Sequence, residues 1–249
     1  ALSISGCIMQ AIVKNPLADP SMLGISSGSN LFIVISMIIF PNISYLEKNL
    51  FSFLGGVVGT IIVILISKNG IREKNNYKLL LSGIAISTLF FSLSEVLSLK
   101  YKIFKETSMW INGGLMGINI NQLLIPGVFI IISIFYVLLN SRKLTILSFD
   151  EQLSISLGEN TNKSRVIFLI FNVILAGSSV VLAGNLSFLG IFVPHISRKL
   201  VGNDYKNILP LSLIIGSTFF LLADLFSRLI FAPFEIPVNA VISILGLPF

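Results

Sequence analysis

Few residues in this chain could do covalent or metal chemistry. There is one cysteine, Cys7, and one histidine, His195. A lone thiol cannot make an in-chain disulfide, and one thiol with one imidazole is not a metal cluster. No Gly-x-x-x-x-Gly-Lys-Ser/Thr phosphate loop occurs, so the chain is not expected to hydrolyse ATP itself. The expectation is no catalytic residue, no metal site and no cofactor. Glu95 and Asp224 are the acids nearest to bilayer depth, where such groups can relay protons. Both fall near the ends of apolar runs, where snorkelling or pairing is the simpler role. His195 follows Pro194, a place that suits packing or a capping hydrogen bond.

The pattern that stands out is one of docking. Residues 141–165 form a long polar passage with apolar runs of membrane-spanning length on both sides. So many polar and charged groups cannot sit in hydrocarbon. Arg142, Lys143, Lys163 and Arg165 crowd its ends, which puts it on the cytoplasmic face. Within it, apolar residues recur at Phe149, Leu153 and Leu157, with Ile146 and Leu147 before them. That spacing predicts a short amphipathic helix ending on Gly158 as its C-cap. Such a helix suits a partner protein, and it equally suits an ordinary surface helix. Periodicity leaves both open.

The remaining elements must position that passage in a membrane. The 249 residues are 54% hydrophobic and 11% charged, against about 25% charged in soluble domains. Mean hydropathy is +0.94. The reading is an all-α, polytopic transmembrane helical bundle. The net charge of +6 implies no nucleic-acid partner, because the basic residues sit in loops between spans.

Spans are expected at 22–40, 50–66, 79–99, 123–139, 166–183 and 208–226. A short apolar helix is expected at 188–200, and an interfacial or re-entrant helix at 107–116 around Trp110. Residues 1–13 are too short to span and read as the end of a span; 238–249 read as the start of another. Gly55, Gly56 and Gly59 make a packing face. Pro16 and Pro20, then Pro233 and Pro237, make two rigid Pro-x-x-x-Pro turns, a weak hint of an inverted repeat. With 141–165 inside, twelve of the seventeen basic residues lie in cytoplasmic loops.

Several segments, taken together and in order, resemble the FecCD-type permease subunits of bacterial ABC importers for iron–siderophores, haem and cobalamin. They are Gly6-x-x-x-Gln10, Asn15-Pro-Leu-Ala-Asp-Pro20, Leu23-Gly-Ile-Ser-Ser-Gly28, Leu79-Leu-Leu-Ser-Gly83, Trp110-x-x-Gly-Gly114 and Leu157-Gly158. Further on come Ala183-Gly-x-x-x-Phe-Leu-Gly190, Val193-Pro-His-Ile-Ser-Arg198, Leu222-Ala-Asp224, Glu235-Ile-Pro-Val238 and Leu245-Gly-x-Pro248. Against the family's ten-span pattern, the first span and most of the last are missing, so the chain reads as cut at both ends. Asn185 and Leu186 depart from the usual Pro-Ile or Ala-Ile pair, and Asn239 stands where Gly is common.

The resemblance implies a single transmembrane permease domain over 1–249 in the bacterial inner membrane, with 141–165 as its cytoplasmic coupling loop. It implies separate ATPase subunits, an external substrate-binding (lipo)protein, and a second permease copy or homologue. ATP hydrolysis would belong to the ATPase, so the chain is a transport subunit rather than an enzyme. Glu151, Leu153, Leu157 and Gly158 would seat on the ATPase. Asn75, Asn76 and Tyr77 fall where the cobalamin importer has its cytoplasmic gate. Arg228 resembles a basic residue that pairs with a carboxylate of the binding protein; Asp224, four residues earlier, offers a local partner instead. A proton-coupled secondary transporter using Glu95 and Asp224 is the competing reading. The resemblance leaves the cargo open among iron–siderophore, haem and cobalamin.

Overall fold

Backbone amides in hydrocarbon must find partners within their own segment, and the apolar runs of this chain do so as helices. The computed structural model describes residues 1–67, 76–111, 120–186, 188–230 and 236–246. Among these the regular structure is helical. In order come α1 (Leu2–Val13), a 3₁₀ turn (Pro20–Leu23), α2 (Ile25–Ile39), α3 (Tyr45–Ser67), α4 (Asn76–Lys100), α5 (Phe104–Ile111) and α6 (Ile120–Leu139). Then come α7 (Ser141–Leu147), α8 (Glu151–Ser156), α9 (Thr161–Ala183), α10 (Leu189–Val201), α11 (Tyr205–Leu229) and α12 (Val238–Gly246). Among the described residues, five stretches are long and apolar enough to cross a membrane: Leu46–Ser67, Leu79–Lys100, Gln122–Leu139, Thr161–Ala183 and Tyr205–Leu229.

Helix boundaries shift by a few residues throughout, and three of the differences matter most. The span expected at 22–40 starts later, because the 3₁₀ turn and Gly24, at φ 74°, take up its first residues. The α4 helix begins at Asn76, where a basic loop was expected to run to residue 78. The polar passage carries two helices, α7 and α8, where one was expected. Residues 112–119, with the glycine pair at 113 and 114, and Pro233 and Glu235 lie outside the described residues.

The contacts divide the chain into two compact units. The first comprises Ala1–Pro20, Val128–Leu175 and Leu186–Phe249. Its centre is α1, whose residues from Ser3 to Val13 are all buried. The approach of α1 to α10 is so close that a Cβ on Gly6 would overlap the carbonyl oxygen of Gly190. Buried polar pairs tie the other helices to α1. Ser5 Oγ donates to Asn172 Oδ1 on α9 at 2.6 Å. Cys7 Sγ lies 3.5 Å from Ser212 Oγ on α11, which donates to Ser197 Oγ on α10 at 2.9 Å. Satisfying hydroxyls this way lets small polar residues join apolar helices.

The second unit comprises Ser21–Gly127 and Ala176–Asn185. There α2 and α3 cross backbone to backbone: a Cβ on Gly28 would overlap the Gly55 carbonyl, and one on Gly59 that of Gly24. Ser29 Oγ donates to Ser52 O at 2.7 Å across the same crossing. The packing face expected of Gly55 and Gly59 is therefore present, and Gly24 and Gly28 form its other half.

These crossings set a test. Gly6→Ala and Gly28→Ala should each lower the thermal unfolding midpoint in detergent, corresponding to about 1–3 kcal/mol of overpacking. Gly127→Ala, whose Cβ would meet nothing within 4 Å, should be neutral or slightly stabilising, since alanine favours helix.

Candidate functional site

The passage 141–165 folds as a small platform within the first unit. Helix α7 turns Leu144 and Leu147 inward, 0% and 1% exposed, against α1 and α11. Its Thr145 locks onto the start of α11. Thr145 Oγ1 donates to Asp204 Oδ1 at 2.9 Å and accepts from the Tyr205 amide at 3.1 Å. Asp204 is the N-cap of α11 and accepts from the Lys206 amide at 3.0 Å. Those bonds, the Lys206 amide first and the Thr145 hydroxyl second, hold the Asp204 carboxyl below the ordinary aspartate value of 3.8.

Helix α8 lies on this base with the opposite polarity. Its buried residue is Ser154, whose hydroxyl donates to Ile146 O at 2.7 Å. Its apolar side chains point outward: Phe149, Leu153, Ile155 and Leu157 are 43–58% exposed. The spacing read from the sequence is therefore an outward stripe, with Ile155 beside it. Glu151 is half-buried, and Thr161 Oγ1 reaches its Oε1 at 3.5 Å. Gly158 adopts φ 81° with open space around it; the left-handed backbone, not crowding, calls for glycine there. The C-cap of α8 is Leu157, and Gly158, expected as the cap, is the left-handed residue that follows it.

Beside Phe149 lies a cleft of about 250 Å³ lined by Gln10, Lys14, Arg198 and Tyr205 among others. Arg198 donates through Nη2 to Gln10 Oε1. Gln10 in turn donates through Nε2 to the carbonyl oxygens of Gly190 and Ile191, at 3.2 and 3.4 Å. Gln10 thus brackets α1, the start of α10 and the last turn of α10. Sequence reasoning held Gln10 only as part of a motif; a glutamine inside a twelve-residue apolar helix was the available signal.

The other expected site residues lie elsewhere. Asn76 and Tyr77 open α4, while Asn75 lies outside the described residues. Arg228 sits in the last turn of α11 and pairs through Nε with Asp224 Oδ2 at 3.0 Å. Glu95 is exposed on α4, and His195 is half-buried on α10. Among the described residues no three His, Cys, Asp or Glu side chains gather as for a metal.

Helices throughout the described residues, five of them apolar and of membrane length with a polar platform between two of these, are the architecture of a polytopic membrane protein. The chain belongs to the FecCD transport family, whose sequence profile matches residues 1–249. It is 36% identical over 249 residues to the iron-uptake system permease protein FeuB of Bacillus subtilis, covering all of this chain and 75% of that one. It is 35% identical to the iron(3+)-hydroxamate import system permease protein FhuB of the same organism, covering all of this chain and 65% of that one. It is also 35% identical to a heme-iron transport system permease protein, IsdF, of Staphylococcus aureus, covering 99% of this chain and 74% of that one.

The fold matches an inward-facing metal-chelate type ABC transporter with a TM-score of 0.90 and 27% identity, over 99% of this chain and 79% of that one. A likeness at 15% identity and TM-score 0.65, to PsaBC from Streptococcus pneumoniae, extends to the fold alone. The family comprises transport permeases of ABC importers, and the chain is a transport subunit rather than an enzyme.

Thr145→Val and Asp204→Ala should each free the first turn of α11, at about 0.5–2 kcal/mol for a lost cap. Hydrogen exchange at the amides of Tyr205 and Lys206 is the readout. Because the folded carboxyl titrates below 3.8, the Asp204 contribution is complete above that pH and disappears as pH falls through the folded value. Protection there, measured against the intrinsic exchange rate at each pH, should therefore fall on acidification in the native chain and show no such step in Asp204→Ala.

Proposed function

We propose that this chain is the permease of an ATP-driven importer that carries an iron chelate across the bacterial cytoplasmic membrane. The observation that carries the reading is the outward apolar stripe of α8 on its braced platform. Exposed leucines on a helix that faces water ask for a protein partner. The named relatives serve iron uptake, hydroxamate import and haem-iron transport, which supports iron chelates as the cargo class.

In this reading residues 1–249 work as one permease domain with 141–165 as its coupling loop. Leu153 and Leu157 seat in a groove of a separate ATPase subunit, Glu151 anchors the helix start, and Gly158 turns the chain back toward α9. ATP binding and hydrolysis on that subunit push the platform. The push reaches α1 and α11 through the buried Leu144 and Leu147, and α11 again through the Thr145–Asp204 lock. Asn75, Asn76 and Tyr77 gate the cytoplasmic end of the pathway, supported by the start of α4 at Asn76. Arg228, 43% exposed despite its pairing with Asp224, meets a carboxylate of an external substrate-binding protein. A second permease copy or homologue completes the pathway.

The test is uptake into liposomes holding the full-length permease with its ATPase and binding protein. Ferric chelate should accumulate with ATP inside and be indifferent to an uncoupler. Leu157→Asp should weaken ATPase association about tenfold or more, since a buried leucine contributes about 1.5–3 kcal/mol, and should abolish ATP-driven uptake. Arg228→Ala should weaken binding-protein docking only a few-fold, as for an exposed pair. Uptake that follows the proton gradient, unchanged by Leu157→Asp, would sink the reading.

A further inference from the structure

The second unit holds a cavity that helix packing does not explain. It measures about 360 Å³ and lies between α2 and α4, with the break after α9 contributing Asn185. Its polar wall includes Ser26, Ser27 and Asn30 from α2 and Ser87 and Thr88 from α4, and none of its lining residues is charged. Elsewhere on α2, Ser29 joins it to α3 through the Ser52 carbonyl and Ser36 bonds back to Ile33 O. Here the polar residues line space instead.

The hydrogen-bonding state of this wall is specific. Ser27 donates to Gly24 O at 3.3 Å, Ser87 to Ser21 O at 3.3 Å, and Thr88 to Ala85 O at 2.9 Å. Their protons are thus committed to backbone carbonyls, and their oxygens remain as acceptors. Asn30 supplies the opposite polarity. It is 1% exposed, and its Nδ2 has no hydrogen-bond partner among the described residues. A buried donor left unpaired is unfavourable and marks a place where an acceptor belongs. Asn185 adds an amide that can both donate and accept. It is also the position where this chain departs from the family's usual proline or alanine.

We propose that this cavity is a cargo subsite that selects a neutral, amide-bearing arm of a ferric hydroxamate chelate, with Asn30 and Asn185 as its specificity-determining residues; this rests on the importer reading. The chemistry decides among iron chelates. The amide groups along such an arm offer carbonyl oxygens to Asn30 and N–H groups to the serine and threonine oxygens, while the hydroxamate oxygens stay on the iron. The carboxylates of ferric citrate or haem would be buried among uncharged groups with no cation, which is costly. Ligand pockets commonly span about 300–1,000 Å³, so this one takes a single arm while the metal centre stays outside it.

The experiment uses the full importer in liposomes and three probes: ferrioxamine B, ferric citrate and haem, each presented on the binding protein. It compares the native chain with Asn185→Ala and Asn30→Leu. Asn185→Ala introduces the residue type usual in the family, so a folded transporter is expected even if Asn30→Leu fails to fold. The native chain should prefer ferrioxamine B. Asn185→Ala should lower its uptake about 2–10-fold, the range for one or two lost hydrogen bonds, with ATPase activity unchanged and uptake of the other two unaffected. Direct binding of radio-iron ferrioxamine B to the permease–ATPase complex in nanodiscs, without the binding protein, should fall by the same factor. Unchanged uptake and binding in Asn185→Ala would overturn the subsite and leave the importer reading intact. Equal losses for all three probes would also overturn it, since selection would be absent. A native chain that imports none of the three would overturn the importer reading and the subsite with it.

Discussion

The contact between Gly6 of α1 and Gly190 of α10 is the constraint on which the first unit depends. Two helices can touch backbone to backbone only where neither carries a side chain. The short distance this imposes brings Gln10 within reach of the Gly190 and Ile191 carbonyls. Gln10 in turn holds the Arg198 guanidinium at the far end of the same helix. A short, wholly buried helix thereby fixes both ends of α10. From α10 the order passes to α11 through Ser197 and Ser212. The cap of α11 then receives α7 through Thr145 and Asp204. Close approach and satisfied hydroxyls suffice for each of these joints.

The second unit applies the same device and then departs from it. On one side of α2, glycines bring α3 close and Ser29 closes a hydrogen bond across the crossing. On another, Ser26, Ser27 and Asn30 face a cavity. A helix in an apolar environment must account for each polar group it carries, because water is not there to do so. Ser27 and Ser29 do so with backbone carbonyls. Asn30 does not: its Nδ2 is without a partner among the described residues, on the side of α2 that lines the cavity.

Much of the architecture was legible because hydrophobic length and charge placement are long-range averages over many residues. The spans at 50–66, 123–139 and 166–183 fall within α3, α6 and α9 for that reason. The start of α2 was not legible to the residue. Met22 and Leu23 are as apolar as the body of α2, and only the left-handed Gly24 turns them into a separate 3₁₀ turn. Helix α7 was missed because its buried residues, Leu144 and Leu147, sit among Arg142, Lys143 and Thr145 and read as polar loop. In α8 the periodicity identified the stripe but could not say which way it faced. Facing depends on the contacts made by the other side of the helix. Ser154 meets the Ile146 carbonyl, a contact eight residues away that no amphipathic pattern encodes.

That facing is also where structure turns into mechanism. A surface helix with its leucines turned inward would stabilise its own chain and transmit nothing. With the leucines turned outward, α8 is held to its own protein by the Ser154 bonds, the Glu151–Thr161 contact and the Gly158 turn, and Leu153 and Leu157 stay exposed. Its neighbour α7 is built the other way, with leucines buried and Thr145 locked to the α11 cap. The short 148–150 link joins α8 to α7, whose contacts are with α1 and α11. The polarity reversal between two adjacent short helices leaves the passage apolar and exposed at α8 and seated in the helix core at α7.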